Sequence, residues 1–136
     1  MEAQPYLFFE GRCREALDFY KKTLGAEVLH IMNFGDSPDK NACADVPGDK
    51  IMHATFKIGS STLMASDGRC SGKTTFGGFA LSVTPSTDAD AHRIFDALSK
   101  GGQVQMPLQK TFFASTFGMC ADQFGVSWMV YVETKR

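Results

Sequence analysis

The sequence lacks long hydrophobic runs and a strong net charge. No stretch approaches the roughly 20 consecutive apolar residues that a membrane span needs. Lysine and arginine total 14 against 15 aspartates and glutamates, a net charge of −1. So small a charge favours neither nucleic acid nor an anionic membrane as a partner. The start, Met1 to Pro5, has no basic region and no apolar core, so we expect no signal peptide and a cytoplasmic protein.

Two short sequence motifs are also missing. The four cysteines, Cys13, Cys43, Cys70 and Cys120, form no C-x-x-C pair for zinc or redox chemistry. We expect reduced thiols in the cytoplasm, although an even count leaves disulfides open. The 13 glycines include no G-x-G turn of the kind that binds nucleotide-like cofactors between a strand and a helix.

The elements that the sequence does predict come in two series with the same order. A chain of 136 residues, 43% of them hydrophobic, is long enough for one domain with its own core. Hydrophobic spacing predicts strand, helix and three strands, twice. The first series is a strand at 6–9, a helix at 16–24 ended by Gly25, and strands at 28–34, 51–58 and 62–66. The second is a strand at 79–83, a helix opening at 85–88, and strands at 103–106, 115–121 and 127–132.

Short sequence matches support an internal duplication. ALDFYKKTLGAEV (16–28) and AHRIFDALSKGGQV (91–104) align on Phe19 and Phe95, while IGSSTLM (58–64) and FGVSWMV (124–130) align on Gly59 and Gly125. Matches in the same order predict two modules within a single domain 1–136, at about 1–67 and about 77–136. The predicted fold class is α+β, with two tandem βαβββ modules.

This arrangement resembles the vicinal oxygen chelate superfamily, which includes glyoxalase I, extradiol dioxygenases and the fosfomycin and bleomycin resistance proteins. Three segments look like PhnB-type proteins: PYLFFEGRCREALDFYKKTLGAEV (5–28), DKIMHATFKIGSSTLMASD (49–67) and QMPLQKTFFASTFGMCADQFGVSWMV (105–130). The resemblance implies a cupped, mostly antiparallel sheet with helices on its outer face, and a homodimer. Some PhnB-type proteins carry a demethylubiquinone methyltransferase label, but the missing glycine-rich turn argues against that activity here.

The resemblance also allows a test for a metal centre. Enzymes of the superfamily hold one divalent metal with His and Glu from their first, fourth, fifth and eighth strands, where it acts as a Lewis acid. Those positions fall at or beside Pro5 and on Met64, Gly78 and Met129. None is a ligand for a hard divalent metal. We therefore expect no metal, no other cofactor and no assignable catalytic residue.

Strand alternation predicts which residues line the cup. On the third strand it turns Ile51 and His53 toward the cup, and Ala54 and Phe56 toward the helices. The predicted ligand-binding residues are His53, Thr62, Met64, Ser66, Phe113, Met129 and Tyr131. We expect segment 35–49, rich in aspartate, to act as a lid.

Three of these residues have alternative interpretations. His53 can donate and accept near neutral pH, so it could orient a carbonyl or hydroxyl, but a structural histidine remains open. Phe113 could close the cup or simply pack. Cys120 is predicted to be a buried, inert thiol, and Asp122 to form a turn rather than a catalytic carboxylate.

These features predict a metal-independent small-molecule binding protein. One alternative is a metal-dependent lyase, isomerase or dioxygenase whose ligands lie elsewhere. Another is a drug-sequestering resistance protein, although a net charge of −1 lacks the charge asymmetry that a cationic drug would favour. The expected partners are a small molecule and a second copy of the chain, with neither nucleic acid nor a membrane.

Overall fold

The chain forms two compact units, Met1–Thr74 and Thr75–Arg136, in a computed structural model that describes residues 1–36 and 46–134. The first unit contains β1 (Tyr6–Phe8), α1 (Cys13–Leu24), β2 (Glu27–Asn33), β3 (Ile51–Ile58) and β4 (Ser61–Ser66). The second contains β5 (Leu81–Val83), α2 (Asp88–Ser99), β6 (Gln103–Gln109), β7 (Ala114–Ala121) and β8 (Ser127–Glu133). This order confirms the predicted α+β fold with tandem βαβββ modules.

The two sheets have the same topology. Their strand orders are β1-β4-β3-β2 and β5-β8-β7-β6. The first strand of each unit runs parallel to the last, while the other neighbours are antiparallel. Tyr6 pairs with Met64 in the first unit, and Ser82 pairs with Met129 in the second. In each unit a methionine of the last strand therefore lies beside the first strand.

Helix α1 covers one face of the first sheet. Its buried positions include Ala16, Leu17 and Tyr20, which recur at helical spacing. The Tyr20 ring centroid lies 6.2 Å from that of Phe56 on β3. The helix ends where Gly25 adopts a left-handed φ of 68° and donates its N–H to a carbonyl of the last turn.

Helix α2 packs on the second sheet in the same way. The Thr87 hydroxyl caps its start by accepting a hydrogen bond from the Asp90 N–H at 3.1 Å. Ala91, Phe95 and Leu98 form its buried stripe. Neither helix of the described part of the chain is long and apolar enough to span a membrane.

Two strands differ from their predicted bounds by more than one residue. Strand β6 continues through Pro107 to Gln109, although the sequence predicts a loop there. Because β6 lies at the edge of its sheet, a proline can face away from the neighbouring strand without costing a ladder hydrogen bond. Strand β5 begins only at Leu81, so Gly78 precedes the strand and Ser82 takes the position beside Met129.

The prediction that Ile51 shares an open face with His53 is wrong, because Ile51 is fully buried. The pairing of β2 with β3 shifts between Met32 and Asn33, which breaks the alternation at the start of β3. The Ile51 N–H also donates to the buried Asp67 carboxylate. Residues 37–45 of the segment predicted to be a lid lie outside the described residues.

Candidate functional site

The first unit carries an aromatic cluster on the sheet face opposite α1. The rings of Tyr6 and Phe8 on β1 stack at 4.9 Å with an interplanar angle of 28°. His53 on β3 lies beside them, its ring centroid 5.6 Å from that of Tyr6. Tyr6 and Phe8 are both exposed. The sequence predicts His53 on this face but does not identify Tyr6 or Phe8 as its neighbours.

Both ring nitrogens of His53 have hydrogen-bonding partners. Nδ1 lies 2.9 Å from the Tyr6 hydroxyl, and Nε2 lies 3.2 Å from the Thr55 hydroxyl. All three groups are satisfied when Tyr6 donates to Nδ1 and the Nε2–H donates to Thr55. Partial burial raises the pKa of the Tyr6 phenol, which keeps that donor protonated at neutral pH. These contacts support the structural alternative for His53.

The other predicted residues of this unit lie on β4. Thr62 and Met64 are half-buried, whereas Ser66 is buried. The Ser66 hydroxyl accepts from the Gly68 N–H at 2.9 Å and donates to the Ile51 carbonyl at 3.5 Å. These two hydrogen bonds stabilise the end of β4, whether or not Ser66 also contacts a ligand.

The second unit contains an open cavity of about 630 Å³. Three predicted ligand-binding residues, Phe113, Met129 and Tyr131, lie in its wall. The remaining lining residues are Ser82, Phe112, Phe117, Glu133 and Thr134. The cavity thus combines an aromatic wall with a few polar groups, the usual composition of a small-molecule site.

The aromatic wall is a connected series of rings. The Phe113 centroid lies 5.2 Å from those of both Phe112 and Phe117, with the planes steeply inclined. Tyr131 continues the series, 6.3 Å from Phe117. Edge-to-face contacts of this kind are favourable and fix the ring orientations.

Backbone contacts hold Phe113 in place between β6 and β7. The Thr111 hydroxyl accepts from the N–H groups of Phe113 and Ala114, at 3.3 and 3.1 Å. The Phe113 carbonyl accepts from the Thr134 N–H at 3.2 Å. The sequence shows a Phe-Phe pair in a loop, but only the structure reveals that β8 and its end fix this loop.

Two buried carboxylates serve the fold. Asp122 accepts from the Phe124 and Val126 N–H groups and from the Trp128 indole N–H. This is the turn that the sequence predicts at Asp122. Asp67 accepts from the Cys13 and Ile51 N–H groups at 2.7 and 2.6 Å, contacts that join residues far apart in sequence and that local motifs do not indicate.

The described cysteines are free, and two of them are buried. Burial raises the pKa of Cys13 to about 12 and that of Cys120 to about 11, with a nearby aspartate adding to each shift. Since the thiolate is the reactive form, both are inert at neutral pH. This agrees with the prediction for Cys120.

The described residues do not fit the metal centre of the superfamily's enzymes. Among them, no three His, Cys, Asp or Glu side chains form a group that could hold a metal. Met64 and Met129 stand at two of the ligand positions that the resemblance implies, and they pair with Tyr6 and Ser82. Thioethers suit soft metals and are poor ligands for hard divalent ions.

Comparison with known proteins identifies the family. A family model described as 3-demethylubiquinone-9 3-methyltransferase matches residues 1–131. Protein YjdN of Escherichia coli is 38% identical, over 100% of this chain and 98% of its own. The chain belongs to this PhnB-like family. Its fold is that of glyoxalase/bleomycin resistance/dioxygenase domains, as the sequence resemblance implies.

Solved structures support the same assignment. A crystal structure of a Pseudomonas aeruginosa protein is 42% identical, with a TM-score of 0.84 and 99% coverage of both chains. A Bacillus cereus structure titled as a putative 3-demethylubiquinone-9 3-methyltransferase, PhnB protein, is 28% identical, with a TM-score of 0.81 and coverage of 97% and 99%. A Frankia glyoxalase/bleomycin resistance/dioxygenase domain, 17% identical with a TM-score of 0.63 over 98% and 95% of the chains, shares the fold.

The methyltransferase description of this PhnB-like family implies S-adenosylmethionine, which the described residues do not fit. A doubly wound cofactor domain binds at the ends of parallel strands, whereas each sheet here has one parallel pair. At the turn from β1 to α1, the Cys13 N–H at the helix start donates to Asp67. The protein's own carboxylate therefore occupies the place where a helix N-terminus would meet a cofactor.

Proposed function

We propose that this PhnB-like protein is a cytoplasmic, metal-independent protein that binds a small organic molecule. The observation that carries the proposal is the cavity of the second unit, with Phe113, Met129 and Tyr131 in its wall. Its volume of about 630 Å³ lies within the range of typical ligand sites. The alternative of a metal-dependent enzyme is less favoured, because Met64 and Met129 stand where hard ligands would be required.

The chemistry of the cavity wall suits adaptable binding. Phenylalanine rings supply apolar area with few rotatable bonds, and a methionine thioether adjusts to irregular shapes. The Ser82 and Thr134 hydroxyls and the Glu133 carboxylate add polar contacts that could orient a ligand. None of these groups forms a nucleophile–base pair, so we propose binding without an assigned reaction.

The open face of the first unit is a second proposed contact surface for a ligand. It carries His53, Thr62 and Met64, with Ser66 at its buried end. The exposed ring of Tyr6 joins them. Since both nitrogens of His53 and the Tyr6 hydroxyl already have protein partners, the ring of Tyr6 is the group on this face that we expect a ligand to meet first.

Binding in the second unit can be tested with the neutral dye N-phenyl-1-naphthylamine, whose fluorescence rises in apolar surroundings. We expect the wild-type protein to bind the dye and Phe113→Ala to bind it about tenfold more weakly, because part of the apolar wall is lost. Fluorescence titration measures both dissociation constants. Circular dichroism shows whether each variant remains folded.

The matched control is Phe79→Ala. Phe79 is 49% exposed, close to the 44% of Phe113, and lies in the same unit but not in the cavity wall. Equal weakening by both substitutions would contradict binding in the cavity. A loss with His53→Ala but not with Phe113→Ala would place the dye on the first unit instead.

We also propose that the protein is a homodimer. Strand β1 is an edge strand of its sheet, and Tyr6 and Phe8 expose aromatic surface on it. Exposed edges with apolar side chains are commonly covered by a partner chain. We expect sedimentation velocity at micromolar concentration to show a species of twice the chain mass, and a 14.9 kDa species would contradict the proposal.

A further inference from the structure

The described wall of the cavity in the second unit carries negative charge and no positive charge. Among the described residues that line it, Glu133 has the single carboxyl group, and none is lysine, arginine or histidine. Glu133 takes part in none of the ion pairs between described residues. Among the described lining residues, a charged ligand in this cavity would therefore meet a carboxylate and no opposing cation.

The aromatic rings also favour a positively charged ligand. The faces of Phe and Tyr rings are electron-rich and attract cations that lie over them. Phe112 is 96% exposed and Phe113 is 44% exposed, so their faces are open to a ligand. The thioether of Met129 adds a polarisable contact. Rings, thioether and carboxylate together make a poor site for an anion.

We propose that the cavity selects an organic cation of the alkylated ammonium class, held over the aromatic wall with Glu133 balancing its charge. The proposal rests on the proposed function, because it names the ligand class of the same site. A quaternary nitrogen has no N–H to satisfy, so it loses little in a cavity with few acceptors.

Three probes of nearly equal shape separate charge from size: choline, neutral 3,3-dimethylbutan-1-ol and anionic 3,3-dimethylbutanoate. They are titrated into the full-length protein with carbon-13 in its methionine methyl groups. The Met129 methyl reports on the cavity, and the Met52 methyl on β3, outside both proposed contact surfaces, serves as the internal reference. We expect choline to bind about fivefold more tightly than the neutral alcohol, and the anion to bind most weakly.

A pair of charge-neutralising variants tests the role of the carboxylate. Glu133→Gln should reduce the preference for choline over the alcohol to about twofold or less, while affinity for the alcohol is unchanged. Glu27→Gln makes the same change at an exposed position of the first unit and should leave the preference intact. Added salt should weaken choline binding but not binding of the alcohol.

The outcomes distinguish this inference from the function on which it rests. Equal shifts of Met129 by all three probes, at equal concentrations, would overturn cation selectivity and leave small-molecule binding in place. A preference for choline that survives Glu133→Gln would overturn the role of that carboxylate. If no probe shifts Met129 and the dye also fails to bind, both proposals are wrong.

Discussion

Replacing Asp122 by alanine should lower the free energy of unfolding by about 4 kcal/mol, the largest effect that we expect from a single substitution. The buried carboxylate accepts three hydrogen bonds, from the Phe124 N–H at 2.9 Å, the Val126 N–H at 3.1 Å and the Trp128 Nε1–H at 2.9 Å. Alanine removes the shared acceptor of these three donors. Denaturant unfolding followed by circular dichroism measures the change.

Two further variants separate the contacts of Asp122. Trp128→Phe removes the indole donor but keeps an aromatic ring in the core, and we expect a loss of about 2 kcal/mol. Asp96→Ala changes an exposed aspartate on α2 and should alter stability by at most about 0.5 kcal/mol. If Asp122→Ala lost no more than Asp96→Ala, the three hydrogen bonds would not stabilise this turn.

Asp67→Ala should cost about 3 kcal/mol. The Asp67 carboxylate is buried, accepts from the Cys13 N–H at the start of α1, and also accepts from the Ile51 N–H at the start of β3. Arg12, the residue at the N-cap of α1, supplies no side-chain capping bond. The substitution therefore removes the helix cap and the link from α1 to β3 together. Thermal and denaturant unfolding give the size of the loss.

Amide hydrogen exchange adds a readout specific to this contact. In Asp67→Ala, the Cys13 and Ile51 amides should exchange faster than in the wild type, because each loses its acceptor. Asp18→Ala, an exposed change on the same helix, should leave both exchange rates as they are. Unchanged protection at Cys13 and Ile51 in Asp67→Ala would contradict the capping role.

Local sequence signals were sufficient to predict most of the fold. Gly25 and Thr87 mark helix ends because their chemistry acts on the neighbouring backbone. The order of elements in the second unit repeats that of the first, as the duplication predicts. These predictions depend on residues close in sequence or on repetition, and both can be recognised without coordinates.

The contacts that sequence analysis missed join distant residues. The Tyr6 hydroxyl meets His53 across 47 positions, and the Asp67 carboxylate meets Cys13 across 54. Neither contact follows from spacing along one element. The burial of Ile51 follows from a register shift between β2 and β3, and periodicity alone cannot locate such an irregularity. Side-chain partners therefore required the structure, whereas the elements did not.

The neighbours of Met64 and Met129 show how far the two repeats have diverged. In each unit the last strand presents a thioether beside the first strand, but the neighbour is a phenol at Tyr6 in one unit and a small hydroxymethyl group at Ser82 in the other. The two units share one main-chain topology, but the side chains beside these methionines differ. The first repeat presents a hydrogen-bonded tyrosine and histidine, and the second presents an open aromatic recess. Duplication has thus given this chain a repeated scaffold whose two halves present different side-chain chemistry.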